Sequence, residues 1–77
     1  MTRAEFAFRF KAARVATGMT QQQAADRLGV AQSWIAKVET GVVMPRVDRL
    51  TEIMATLGLD ARTIFPEFFE AKSKSKK

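Results

Sequence analysis

Apolar residues recur at intervals of three or four along most of this chain, and each of its four glycines falls where one such run stops and another begins. Phe6, Phe10, Ala13 and Thr17 make one stripe with Phe8 and Val15 off it, which predicts a first helix from about Arg3 to Thr17. Gly18, Gly29, Gly41 and Gly58 then divide the chain into five predicted helices. Thr20 suits the N-cap of the second, because its hydroxyl can accept from an orphaned backbone N–H; that helix ends at Leu28 and Gly29. The third covers Gln32 to about Thr40, although Ala31 is a poor cap. Val42, Val43 and Met44 lead to Pro45, which fits the first turn of a fourth helix carrying Leu50, Ile53, Met54 and Leu57 inward. Asp60 can cap a short fifth helix through Phe65, after which Pro66 removes a donor. The fold class is therefore all-α, a compact five-helix bundle.

Between Thr20 and Gly41 the spacing becomes specific. Counting Gln21 as the first position, Ala24 and Ala25 fall where two helices must approach closely, and Gly29 falls where the chain must turn through positive φ. Val30, Ile35 and Val38 face inward, and Ile35 and Val38, three apart, share one buried face. Gln32, Ser33, Ala36 and Lys37 are left outside. A small residue, a glycine and two branched apolar residues at these intervals are helix-turn-helix spacing, and the exposed face reads as a groove-contacting surface.

From Arg14 to Leu59 the chain resembles the phage repressor and Cro type of helix-turn-helix, the XRE family. The residues that carry the resemblance are Gly18-Met19-Thr20-Gln21, Leu28-Gly29-Val30 with Gln32-Ser33, Ile35, Val38-Glu39-Thr40-Gly41, Pro45 and Leu57-Gly58-Leu59. Two positions depart from the pattern: Ala24 stands where the family often has leucine, and Ala31 where serine or threonine is frequent. The resemblance implies a lambda-repressor-like bundle with the helix-turn-helix formed by helices 2 and 3. It implies a sequence-specific transcriptional regulator, often a repressor, that sets its third helix in the major groove of operator DNA as a homodimer. It further implies that Gln21 bonds a phosphate and braces Gln32, that Arg46 lies near the minor groove or backbone, and that Arg14 and Glu39 form a structural ion pair tying the first helix to the third.

Side-chain chemistry points the same way. The Gln32 amide can bond adenine N6 and N7 together, which makes it the foremost base-reading candidate. Ser33 and Lys37, four apart, project from one face toward base edges or phosphate, and Ala36 admits a thymine methyl. Trp34 reads as packing over the seam with the second helix, with a polar tip. Glutamines and lysines are also ordinary helix-surface residues, and Gln22 and Gln23 read as plain surface.

Composition narrows the classes. Seventy-seven residues, 47% of them hydrophobic, suit one domain with one core. With no cysteine and no histidine, disulfides, zinc sites and the usual nucleophile–base pairs lack their residues, so neither metal nor cofactor is expected. The carboxylates are scattered without a paired arrangement, so no enzyme is expected either. No apolar run reaches the roughly 20 residues that cross a bilayer, and the charged amino-terminal stretch is no signal-peptide core, which favours a cytoplasmic protein with no membrane partner. The formal charge of +5 is misleading: nine basic and eight acidic residues within 1–70 leave +1, and the rest lies in the lysines of AKSKSKK. Residues 1–70 thus read as the DNA-binding domain, with Lys37, Arg46 and Arg49 as a local basic patch. Residues 71–77 read as a basic, disordered tail able to add nonspecific phosphate attraction.

The second reading is an antitoxin or protein-binding adaptor with a toxin or other protein partner, since helix-turn-helix domains occur there too. Against it, only Glu70 to Lys77 follow Phe69, shorter than the segment with which an antitoxin wraps its toxin. Within the DNA-binding reading, the length and the Phe-rich end also resemble the controller proteins of restriction–modification systems. Ile64, Phe65, Phe68 and Phe69 are four large apolar residues near the end of a small domain and form the candidate dimerisation set; some of them, Ile64 or Phe65 in particular, should cover the bundle, and the remainder leave an exposed patch for a second subunit.

Overall fold

The computed structural model of the chain describes residues 2–65, in which five helices follow in order: α1 Arg3–Ala16, α2 Gln21–Leu28, α3 Gln32–Glu39, α4 Val47–Leu57 and α5 Ala61–Ile64. Among the described residues there is no strand, and the architecture is the all-α bundle that the periodicity predicts, with α2 and α3 forming the helix-turn-helix. Pro66, Phe68, Phe69, the boundary at 70 and the 71–77 tail lie outside the described residues.

Helix α1 opens with a reciprocal cap: Glu5 N donates to Thr2 Oγ1 at 3.1 Å, and Thr2 N donates to Glu5 Oε1 at 2.8 Å. That backbone N–H holds the Glu5 carboxyl below its ordinary value. Phe6 and Phe10 are fully buried and stacked, while Phe8 and Val15 are exposed. The helix stops one residue earlier than its stripe suggests. Thr17 becomes the C-cap and is exposed, its hydroxyl donating to the Arg14 carbonyl.

The same reciprocal cap starts α2, between Thr20 and Gln23. Gln23 therefore has a structural task that a plain-surface reading misses. Ala24 and Ala25 have no exposed surface where α2 packs against α3 and α4, so a methyl is the side chain these contacts accommodate. Gly29, at φ +70°, ends α2: its N–H donates to Asp26 O and that of Val30 to Ala25 O, the paired bonds of a Schellman turn. Val30 then folds half-buried against the core.

Helix α4 corrects one expectation. It begins at Val47 with Arg46 as its extended N-cap residue, so Pro45 precedes the helix and does not occupy its first turn. Pro45 and Leu50 are both buried at the two positions joined by a hydrophobic staple, and an apolar ring is better used there than on a solvent-facing first turn. Asp60 caps α5 by accepting from Arg62 N at 2.9 Å.

The core gathers Phe6, Phe10, Ile35, Val38, Ile53 and Ile64, all without exposed surface. Each such side chain contributes about 1.5–3 kcal/mol on burial against roughly 1 kcal/mol for a cap, so packing sets the fold and the caps trim its ends. Ile64 is accordingly a core residue and leaves the candidate dimerisation set: α5 turns it into the interior, and its carbonyl receives Arg9 Nη1 at 3.1 Å. Phe65, just beyond α5, is half-buried and stacks on Phe6 with centroids 6.3 Å apart. No helix among the described residues is long and apolar enough to cross a membrane.

Candidate nucleic-acid interface

Eight residues make α3, and its two faces differ sharply. Ile35 and Val38 enter the core, whereas Gln32, Ser33 and Lys37 are exposed and Ala36 is half-buried beside them. Ser33 and Lys37 stand one turn apart on the exposed side. Trp34 is half-buried and packs against the core cluster. At its start α3 has no side-chain cap, since Ala31 carries no acceptor. At its end the Lys37 carbonyl takes two backbone donors, Val42 N at 2.9 Å and Val43 N at 3.2 Å, and the Thr40 hydroxyl at 3.3 Å, while Gly41 turns at φ +81°.

A chain of hydrogen bonds runs from the interior to this face. Arg14 on α1 grips Glu39 on α3 with both arms of the guanidinium, Nε to Oε2 at 2.5 Å and Nη2 to Oε1 at 3.1 Å. Its third nitrogen, Nη1, donates to the Met19 carbonyl. The two side chains are 8% and 2% exposed, so the pair belongs to the interior and the carboxylate is turned from the face where it would repel phosphate. Gln21 Nε2 donates to Glu39 Oε1 at 3.0 Å, and Gln32 Nε2 donates to Gln21 Oε1 at 3.1 Å. Four residues from three helices are thereby linked in one line.

Arg46 stands apart from that line at the head of α4, its side chain 89% exposed and 3.9 Å from Asp48. Arg49 is engaged with Glu52 at 2.9 Å, which reduces its part in any basic patch. Of the candidate residues, the fold brings together Arg14, Glu39, Gln21 and Gln32 by direct bonds, and Ser33, Ala36 and Lys37 by a shared helix. The contact between Gln21 and Glu39 carries no signal in the sequence, because it joins two helices eighteen residues apart with no periodic trace.

Searches of curated proteins and of solved structures each found no match. A scan against family models matched the helix-turn-helix domain over residues 5–64, a span that takes in all of α2, α3 and α4 and ends with α5. The chain belongs to the helix-turn-helix domain family.

Proposed function

We propose that this protein is a sequence-specific transcriptional regulator of the phage repressor and Cro type, reading a roughly palindromic operator as a homodimer with α3 in the major groove. A helix-turn-helix domain supports DNA binding as such. The observation that carries the finer reading is Gln32: exposed at the start of α3, it is held by Gln21 and keeps part of its amide free for a base edge. Ser33, Ala36 and Lys37 extend that surface along α3, and Arg46 adds charge toward the sugar-phosphate backbone. In this reading Gln21 also meets a phosphate. Residues 1–70 act as the DNA-binding domain, and 71–77 add attraction to any duplex.

The dimer reading keeps Phe65, Phe68 and Phe69. Phe65 borders an apolar cleft with Met44, Val47 and Met54, in which Val47 is 80% exposed. A twofold contact on that side sets two α3 helices about 34 Å apart, one turn of duplex. Selecting bound fragments from a random DNA library tests the whole reading, with a palindrome as the expected outcome. On the selected site Gln32→Ala should lose about 1–3 kcal/mol and relax preference at one position per half-site. Equal binding of the wild type to cognate and scrambled duplexes refutes it.

A further inference from the structure

We propose that Glu39, though buried away from the exposed face of α3, decides which purine Gln32 accepts by fixing the direction of the Gln32 amide. This rests on the reading of Gln32 as the base-contacting residue. A carboxylate only accepts hydrogen bonds, so the Gln21 amide must turn its nitrogen toward Glu39. Glu39 has no freedom to swing away, because both of its oxygens are held by Arg14. With its nitrogen so placed, Gln21 presents Oε1 to Gln32, and Gln32 must answer with Nε2. Reversing either amide alone sets oxygen against oxygen. The polarity of the line is thus imposed from its buried end.

At the exposed end, one of the two Gln32 amide hydrogens is occupied, which leaves Oε1 and a single N–H. Adenine offers N6–H as a donor and N7 as an acceptor, the complement of that remaining pair. Guanine offers O6 and N7, two acceptors, and would need two N–H groups; here Oε1 would face O6. An untethered glutamine could give both hydrogens to guanine. Glu39 is therefore a positioning residue whose effect is read as a preference between adenine and guanine.

The test uses the full chain and two duplexes that differ only by adenine or guanine at the position read by Gln32, with affinities measured by fluorescence anisotropy. Wild type should favour adenine by about 5- to 150-fold, the range for a good bidentate contact. Glu39→Gln, whose amide can accept or donate, should bring that ratio close to one. Gln21→Leu should do the same while leaving Arg14 and Glu39 in place. The ratio of two affinities from one sample does not depend on the fraction folded, so a destabilised Glu39→Gln still reports its base preference. A wild-type ratio retained by either variant overturns the proposal, as does a wild-type preference for guanine. Gln32→Ala separates the two layers: an unchanged ratio there refutes base contact by Gln32 itself, whereas collapse there with persistence in Gln21→Leu refutes the control by Glu39 alone.

Discussion

Replacing Arg14 by methionine keeps most of the side-chain volume and removes three hydrogen bonds, two to Glu39 and one to the Met19 carbonyl. The Glu39 carboxylate, with its side chain 2% exposed, is then left with Gln21 as its remaining side-chain donor. Breaking a buried pair from one side costs about 3–5 kcal/mol, because the surviving charge stays desolvated. At roughly 0.05–0.15 kcal/mol per residue, the whole domain holds only about 4–12 kcal/mol, so the variant loses a large share of its stability. With a shift of about 4–8 °C per kcal/mol, the melting point falls by at least roughly 12 °C. Urea unfolding followed by fluorescence of Trp34, the single tryptophan, measures the loss directly. Adding Glu39→Leu to Arg14→Met removes the stranded charge and should recover most of the stability, since apolar replacement of a buried pair is often neutral or better. A single variant that loses less than about 1 kcal/mol would place the pair in the surface class and refute the reasoning.

Two further outcomes concern the turns and the assembly. Gly29→Ala should cost about 1–2 kcal/mol in the same urea experiment: nothing lies within 4 Å of the added methyl, so the whole penalty is the backbone at φ +70°, and an unchanged midpoint would contradict it. Phe68→Glu should convert a sedimenting dimer into folded monomer with weakened operator affinity, whereas a wild type that stays monomeric at high concentration and binds an isolated half-site alone removes the dimer from the proposal.

Helices α2, α3 and α4 are legible in the sequence because local rules and packing agree there. Gly29 and the threonine cap bound α2, and Gly58 with the period of Leu50, Ile53 and Leu57 marks α4, each where the packing also places it. Ends decided by one side chain are not legible to the residue. Thr17 closes α1 through its own hydroxyl, and Pro45 is buried ahead of α4. The aromatic end is ambiguous for another reason. Four apolar residues in six positions cannot state which of them meets the interior, and only the placement of α5 against α1 assigns Ile64 to it. At the interface, the residue types on α3 can be read from the chain, but the link from Glu39 through Gln21 is a product of tertiary placement. Gln23, a surface residue by type, stands three residues after Thr20 in the T-x-x-Q spacing of a capping box, so its role is open to reading from the chain through spacing and not through residue type.

At eight residues α3 is shorter than the roughly 12–15 that an isolated helix needs to persist in water. Its order is borrowed from the side chains it buries and from the two backbone donors beyond its end that reach the Lys37 carbonyl. The entropy of ordering α3 is consequently lost when the chain folds, so if α3 is the docking helix, as proposed, its contact with a duplex involves no folding of α3 itself and adds no coupled-folding contribution to the heat-capacity change. The same dependence runs in reverse. Anything that loosens the interior lowers the fraction of molecules with a formed α3, and the apparent dissociation constant rises by the inverse of that fraction even when every contacting side chain is intact.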